Sequence, residues 1–300
     1  MDASQAFAEV LLEQISFSVT NENSKRKKVA ISVLNRSKGL IDIFGFFSLE
    51  KIFTDDLKNA QIYKAIFPES MLNKIKNLSI ADNQKLVKGE IGISNITQYL
   101  TFEPDKNYPC VKGIDIAGYG LKSQKRYLMG KIAKEYVKQY QEDKIVSQEI
   151  IAHIQNPQPH ILITIFYDNA NRLINDTCVE IKVLDKKIEK KFLLAYYQST
   201  FCNWYAYNLV YNRAIRTMHF IDYYITQIPI PKVILENIEP QKKIIDIVDK
   251  ILEITKDDDY LTNPAKQAKV KEYEHQIDEM VYELYGLTPE EIAIVEGRGK

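Results

Sequence analysis

Few residues of this 300-residue chain have the types and spacing that catalysis requires. The sequence has no P-loop, no GxGxxG motif after a strand and no GxSxG nucleophile elbow. Its histidines never occur in the HxxxH or HExxH spacing that places two imidazoles on one metal ion. The sequence therefore predicts neither a catalytic residue nor a metal site. The histidines are His153, His160, His219 and His275.

Two partial motifs have simpler structural explanations. Residues 156–159 read NPQP and resemble the Asn-Pro-Pro-aromatic motif of adenine-N6 methyltransferases, but a proline replaces the aromatic ring that would stack on a flipped base. We interpret this segment as a loop. Glu180 and Lys182 match a PD…ExK nuclease pattern only with Pro104 and Asp105 far upstream, and a strand with alternating outward charges explains them better.

The cysteines and the hydropathy pattern bound the class of protein. Cys110, Cys178 and Cys202 are far apart and never form CxxC, so we expect buried thiols and no disulfide framework. No stretch approaches the roughly 18 apolar residues of a membrane span. Residues 1–20 carry acids where a signal peptide would carry Lys or Arg. The sequence predicts a cytoplasmic globular protein.

The net charge of zero conceals an uneven distribution. Residues 235–300 contain 16 acids and 9 basic residues, so the preceding part of the chain is basic. Residues 24–38 have six basic residues and no acid, and residues 121–144 have seven basic residues and three acids. Such patches suit contact with phosphates, although a solvated lysine-rich surface would give the same pattern.

The periodicity predicts an α+β fold in three parts. Residues 6–20 and 28–36 are expected to form a β-hairpin with a basic tip, followed by a helical linker that starts near Ser48 and is interrupted at Pro68. Short β-type runs then alternate with turns as far as about Pro231, and a single aromatic-rich helix near the end would pack on the sheet. The predicted domains are 1–77 (hairpin and helical linker), 78–234 (mixed sheet-rich domain) and 235–300 (helical hairpin).

Capping signals define the C-terminal helical hairpin. Two helices of about 17 and 22 residues have narrow apolar stripes, which favour a hairpin that lies against itself or a partner helix. Asn263 and Pro264 begin the second helix and Gly286 follows it. Thr288 and Glu291 then form a capping box for a last helix.

Five segments stand in the order and spacing of a known module: LSIADNQKLVKGEIGIS, YPCVKGIDIAGYGL, DKIVSQEIIAHI, LINDTCVEI and KKFLLAYYQSTFCNWYAY. The non-helical QIPIPK and the helical hairpin follow them. Over about residues 78–297 the chain resembles the TaqI-like C-terminal specificity domain. This is the target-recognition module of adenine-N6 DNA methyltransferases in Type IIG and related restriction-modification enzymes. Type I specificity subunits share the helical ending.

The resemblance implies recognition of double-stranded DNA, with the chemistry performed elsewhere. A methyltransferase domain or subunit outside this chain would hold S-adenosylmethionine, and a nuclease could accompany it. Residues 1–77 would be the tail of such a methyltransferase region. The chain itself would bind no cofactor and catalyse nothing, and the helical hairpin would act as a spacer and docking element.

The DNA contacts expected from this resemblance are basic side chains. Phosphate contacts give affinity without sequence choice, and a few polar side chains reach base edges. A rival interpretation remains open, in which the chain is a protein-interaction subunit that dimerises through its C-terminal helices and does not read DNA. The predicted DNA-binding residues are Lys122, Lys125, Arg126, Lys131 and Lys134 at phosphates, and Arg213 and Arg216 at bases or backbone.

Overall fold

The computed structural model describes most of the chain and confirms the α+β class. Four sequence predictions lie outside the described residues: a strand at 6–20, the first half of the helical linker at 49–66, a loop at 156–159 and the position of Arg216. The described residues are 28–35, 40–48, 67–122, 125–153, 160–211, 213 and 218–298.

The regular elements alternate short strands with helices until residue 183, after which only helices follow among the described residues. The strands are β1 (Lys28–Asn35), β2 (Leu40–Ser48), β3 (Val87–Ile91), β4 (Leu100–Thr101), β5 (Tyr108–Val111), β6 (Arg126–Leu128), β7 (Lys144–Gln148), β8 (Ala152–His153), β9 (His160–Ile161), β10 (Ile165–Asp168), β11 (Leu173–Ile174) and β12 (Cys178–Val183). The helices are α1 (Glu69–Leu78), α2 (Gly130–Ala133), α3 (Lys190–Gln198), α4 (Thr200–Tyr205), α5 (Asp222–Ile225), α6 (Val233–Glu236), α7 (Glu239–Thr255), α8 (Pro264–Leu284) and α9 (Pro289–Val295).

The first described elements correct one prediction. The strand expected at 28–36 is present as β1, and it pairs antiparallel with β2. The prediction that a helical segment begins at Phe46 with Ser48 as its cap was wrong, because both residues belong to β2. Aromatic and β-branched residues around Gly45 favour a strand, and the glycine itself disfavours a helix. The second half of the predicted linker is confirmed as α1, which begins directly after Pro68.

Two four-stranded sheets form the centre of the molecule. One has the order β10-β7-β12-β3 and is antiparallel throughout, and the other has the order β11-β5-β6-β4 with one parallel pair. A backbone hydrogen bond of 2.8 Å from Tyr119 N to Ile165 O joins the turn after β5 to β10. Buried side chains from both sheets, including Val146, Phe166 and Leu128, pack into a shared core.

The aromatic helix is present but is divided in two. Ser199 has extended backbone angles and separates α3 from α4, and its hydroxyl accepts a hydrogen bond from Cys202 N at 3.3 Å. Serine at this position caps the new helix, because its side chain satisfies one of the free N–H groups of the first turn. Residues 192–197 of α3 are all buried, since this helix packs on β7 and β10 on one side and on α7 and α8 on the other.

The C-terminal helices pack more broadly than their stripes indicate. Helices α7 and α8 lie against each other, as expected, and Asn263 caps α8 through bonds from Ala265 N and Lys266 N. Both helices also contact the aromatic helices, and their buried residues belong to the same hydrophobic core as α3. The apolar stripe of each helix is therefore covered by the aromatic helices as well as by the other helix of the hairpin. No described helix is long and apolar enough to span a membrane.

A buried polar cluster joins the end of α8 to the aromatic helices. The hydroxyl oxygens of Tyr196 and Tyr285 lie 2.8 Å apart, and both reach the carbonyl oxygen of Pro229. The ring of Tyr285 stacks on Phe201 with 4.5 Å between centroids. Thr200 N donates to the carboxylate of Asp278 at 2.7 Å. Aromatic packing and satisfied polar groups together fix the angle between the hairpin and the sheet-rich part.

The C-terminal end returns to α1. Gly286 has φ +55 and ends α8, and the predicted capping box between Thr288 and Glu291 is confirmed in both directions. Lys74 of α1 donates to the carboxylate of Glu291 at 2.6 Å and to the carbonyl of Gly286 at 3.0 Å. The segment around Pro231 is non-helical, as predicted, and pairs with residues 78–80 through Ile80 N to Ile230 O at 2.8 Å.

Substitution of Tyr285 should destabilise the whole fold. We expect Tyr285→Ala to lower the free energy of unfolding by about 3–5 kcal/mol, because it removes a fully buried ring. Tyr285→Phe should cost about 1 kcal/mol, the value of a lost hydrogen bond. Chemical denaturation measures both. The exposed Tyr223→Phe is the control, and equal losses in all three variants would contradict this packing.

The buried carboxyl of Glu274 on α8 should make stability depend on pH. Burial, with a further contribution from Asp278, raises its pKa to about 7. A carboxyl whose pKa is higher in the folded state favours folding when protonated, so this contribution falls as pH rises from about 4.5 to 7. We expect Glu274→Gln to match the parent chain near pH 4 and to exceed its stability at pH 8 by roughly 1–3 kcal/mol.

The exposed Glu283→Gln on the same helix is the control for this measurement. If Glu274→Gln gave no gain at pH 8, or a gain of the same size at pH 4, the burial of this carboxyl would not account for the effect.

Candidate nucleic-acid interface

Asp115 organises the turn that carries the predicted basic residues. Its carboxylate accepts a hydrogen bond from Lys112 N at 2.9 Å, which closes the short helical turn at 113–115. Its backbone oxygen accepts from Lys122 N at 2.8 Å. The side chain is only 8% exposed. A buried carboxylate needs such partners, because an unpaired charge in the interior is very costly.

Arg126 on β6 is the strongest partner of Asp115. Its Nε donates to both carboxylate oxygens of Asp115 at 2.9 and 3.0 Å. The carbon of its guanidinium lies 5.1 Å from the centroid of the Phe102 ring, which is half exposed. Among the described residues, nothing bonds its two terminal nitrogens. Arg126 is therefore held in place with part of its hydrogen-bonding capacity unused.

The four predicted lysines are exposed and make no ion pair with any residue that the structure describes. Lys122 and Lys125 lie on either side of 123–124, next to β6. Lys131 lies in α2 and Lys134 ends that helix. The helix is fixed by its buried Ala133 and by a bond of 3.0 Å from Gly130 N to Asn107. These side chains are available to a partner with negative charge.

A cleft of about 820 Å³ separates the basic turn from the helical hairpin. Lys122, Lys125 and Arg126 line one wall. The other wall is the C-terminal part of α7 and the turn that follows it, and it is acidic through Asp249, Glu253, Asp257 and Asp258. Gly120 closes one end, because a Cβ at this position would lie 3.2 Å from the backbone oxygen of Thr255.

Some basic residues of the same sequence region have a structural role instead. Lys144 is buried and donates to Asp168 at 2.6 Å, and Arg172 donates to the other oxygen of the same carboxylate at 2.6 Å. Removal of one partner from such a buried group would leave an uncompensated charge. The basic run at 121–144 is therefore not a uniform surface patch.

Arg213 lies in a different part of the molecule from the cleft. It follows the aromatic helices in a left-handed conformation (φ +62), and its Nε donates to the side-chain oxygen of Asn208 at 2.9 Å. It does not line the cleft. The neighbouring His219 contacts Glu149 through Nδ1, which ties residues 218–220 to the end of β7. Arg216 lies outside the described residues. The structure groups Arg126 with Lys122 and Lys125 in the cleft, and Arg213 does not belong to this group.

The partial nuclease motif forms part of an ordinary strand ladder. Glu180 lies opposite Glu90 in the β12–β3 register, and Lys182 pairs with Glu90 at 2.5 Å. Burial raises the pKa of Glu180. Over the described residues, no three His, Cys, Asp or Glu side chains are placed to hold a metal ion. The strand interpretation of EIK is the one that the structure supports.

The cysteines are buried and free, as predicted. Burial raises the pKa of Cys110 to about 12 and raises those of Cys178 and Cys202 as well. A thiol with a raised pKa is a poor nucleophile, because the thiolate is the reactive form. These residues contribute to packing.

The sequence did not predict the two residues that hold the Arg126 side chain in place, Asp115 and Phe102. Asp115 and Phe102 come from separate segments, and Lys112 has no side-chain oxygen of the kind that marks a capped turn in a sequence. The stacking of Arg126 on Phe102 brings together β6 and the end of β4, and this pairing depends on the strand register.

The family model for the TaqI-like C-terminal specificity domain matches residues 108–230. Over these residues the chain is similar to that domain. The match begins at β5 and ends in the non-helical segment before α6, so it includes the basic turn, Arg126, α2, the aromatic helices and Arg213. The matched segment thus carries all of the predicted site residues, and the resemblance to the TaqI-like specificity domain is confirmed over residues 108–230.

Two solved structures show similarity over a longer stretch. One is a chain from a study of complex assembly and conformational transition of the type I R-M system, with 12% identity, 72% of this chain and 50% of that chain covered, and a TM-score of 0.37. The other is the HsdS subunit from Thermoanaerobacter tengcongensis, with the same identity and coverage and a TM-score of 0.34. The chain spans about half the length of these solved chains. No curated protein matches it.

Proposed function

We propose that this protein recognises a specific sequence in double-stranded DNA as the specificity module of a restriction-modification system. The observation that carries the proposal is the position of the family match. The matched specificity domain bears four exposed lysines without protein partners in the described part of the chain, together with a supported arginine. Unpaired exposed cations on a recognition domain suit a polyanion such as DNA.

The lysines are proposed as the phosphate contacts. Lys122, Lys125, Lys131 and Lys134 lack the carboxylate partners that hold Lys144 and Lys191 in the folded chain. When a solvated lysine binds a phosphate, counterions leave the DNA. No ion pair within the protein has to be broken. Arg126, Arg213 and Arg216 complete the proposed set, with Arg213 and Arg216 at bases or backbone.

The reaction is proposed to belong to a partner. An adenine-N6 methyltransferase domain or subunit would bind S-adenosylmethionine and modify the site that this chain selects, as in Type IIG enzymes. If a nuclease belongs to the same cytoplasmic system, that system would act in phage defence. The predicted domains at 1–77, 78–234 and 235–300 would then be a methyltransferase tail, a target-recognition domain and a helical spacer and docking region.

One structural observation weighs against the rival interaction subunit. Ile244 and Ile277, the first residues of the two C-terminal apolar stripes, are at most 1% exposed within the single chain. Stripes that are already buried offer little apolar surface for a homodimer through these helices. The acidic outer surface of the hairpin would also repel DNA, which suits a docking role toward another protein.

Selection from random duplex DNA on the immobilised full chain tests the proposal. Recovery of an asymmetric sequence motif would support a specificity module. No enrichment at low salt would refute the proposal and support the interaction subunit. Methyl transfer or cleavage by the purified chain alone would contradict the assignment of the reaction to a partner.

The salt dependence of binding should identify the phosphate contacts. We expect the variant with Ala at Lys122, Lys125, Lys131 and Lys134 to bind all sequences more weakly and to reduce the slope of log K against log salt by about 4, because each lysine neutralises one phosphate. Fluorescence anisotropy at several salt concentrations measures this slope.

The matched control removes four exposed lysines from the helical hairpin, at Lys242, Lys243, Lys269 and Lys271. This variant has the same net charge as the first, so a long-range charge effect would lower its affinity equally. Equal losses in the two variants, or an unchanged slope in the first, would contradict the assignment.

A further inference from the structure

Arg126 differs from the neighbouring basic residues because the fold fixes its side chain. Asp115 holds Nε with two bonds of 2.9 and 3.0 Å, and Phe102 covers one face of the guanidinium. The supporting carboxylate is itself anchored by Lys112 N. A guanidinium held in this way loses little conformational freedom when it binds a ligand, and its two terminal nitrogens form a planar pair of donors.

The charge around Arg126 does not favour a phosphate. Asp115 neutralises the guanidinium at close range, and the opposite wall of the cleft carries Asp249, Glu253, Asp257 and Asp258. Three of these acids have cationic partners, Lys191 for Asp249, Lys256 for Glu253 and Lys266 for Asp257, and no basic residue among those described pairs with Asp258. Lys122 and Lys125 face the same wall but have no carboxylate partner like Asp115, so an anion would be attracted less at Arg126 than at either lysine. A neutral ligand with two adjacent acceptors would meet no such opposition.

The edge of guanine in the major groove is a ligand of this kind. Its O6 and N7 are neutral acceptors spaced to receive both terminal nitrogens of one guanidinium, and this is the most common specific contact between proteins and DNA. We propose that Arg126 reads one guanine of the target site, while the lysines around it bind the backbone. This inference rests on the proposed function and replaces the phosphate role that the sequence alone assigned to Arg126.

Asp115 and Phe102 are positioning residues in this proposal. Asp115 binds Nε, and both terminal nitrogens are left without a bond to any residue that the structure describes. Phe102 stacks on the guanidinium and limits its rotation. Its ring is half exposed. Lysine cannot replace Arg126 in this role, because an ammonium group is a point charge without a planar pair of donors.

The experiment begins from the motif selected by the full chain and replaces each of its guanines in turn by 7-deazaguanine, which lacks the N7 acceptor. The parent protein should lose about 10-fold in affinity at one particular guanine. Arg126→Lys, which keeps the charge, should be insensitive at that guanine, should accept other bases there, and should keep its sensitivity at the other positions. The Lys125→Ala variant should instead bind every duplex more weakly and keep the full pattern.

Two results would overturn the inference. If Arg126→Lys kept the parent motif and the parent response to 7-deazaguanine, Arg126 would not read a base. If Arg126→Ala lowered affinity uniformly and reduced the salt slope by about 1, Arg126 would be a phosphate contact. A motif that persists in these variants contradicts only the role of Arg126, whereas failure of the parent chain to select any motif contradicts the proposed function itself.

Phe102→Leu separates positioning from folding. It should leave the thermal unfolding midpoint within about 2 °C of the parent, because the ring is half exposed. It should also weaken discrimination at the same guanine by about 3-fold, which reflects loss of the cation–π contact. A residue with a purely structural role would not change the preference at a single base pair, so unchanged discrimination in this variant would contradict the positioning role.

Discussion

The packing of the C-terminal helical hairpin on the aromatic helices is the constraint on which the structure depends. Tyr285 reaches from the end of α8 to Phe201, to Tyr196 and to the carbonyl of Pro229. Pro229 lies in the non-helical segment before α6, so one buried cluster joins the sheet-rich part to the helical part. This contact fixes where α7 lies, and α7 forms one wall of the cleft that faces Arg126. If the hairpin moved independently of the sheet-rich part, the distance between α7 and Arg126 would not be fixed.

Burial sorts the charges of this protein into two groups. The most deeply buried charged side chains have partners: Asp168 holds both Lys144 and Arg172, and Asp115 holds Arg126. Desolvation makes an unpaired interior charge very costly, so these partners are required for folding. Lys122 and Lys131 are exposed, so their charges are not desolvated on folding and need no partner within the protein. They stay available to an external anion. The difference between Arg126 and its lysine neighbours follows from this sorting, and it is the basis for assigning them different ligands.

Local signals in the sequence predicted the elements that depend on local physics. The cap at Asn263, the box of Thr288 with Glu291 and the non-helical segment before Pro231 all require only neighbours in the chain, and all are confirmed. The strand at 40–48 was missed because Phe46 and Phe47 fit a helical stripe when strand pairing is ignored. The break at Ser199 was also missed, since the aromatic residues on both sides continue the same apolar pattern.

Contacts between segments that are distant in the chain could not be predicted from the sequence. The burial of both hairpin helices against α3, the support of Arg126 by Phe102, and the acidic wall opposite the basic turn depend on how elements meet in three dimensions. Charge composition indicated a basic part and an acidic part but could not place them across one cleft. The resemblance predicted for residues 78–297 is matched by the family model at 108–230, and it did not distinguish Lys144, which is buried, from the exposed lysines before it.

Native-state hydrogen exchange tests most directly whether the hairpin and the specificity domain form one unit. If they do, the slowest amides of α8 should exchange through the same opening, with the same free energy and denaturant dependence, as those of α3 and β12. If the amides of α8 exchanged through a separate opening about 2 kcal/mol lower, the hairpin would unfold on its own, and the account of a fixed cleft would be contradicted.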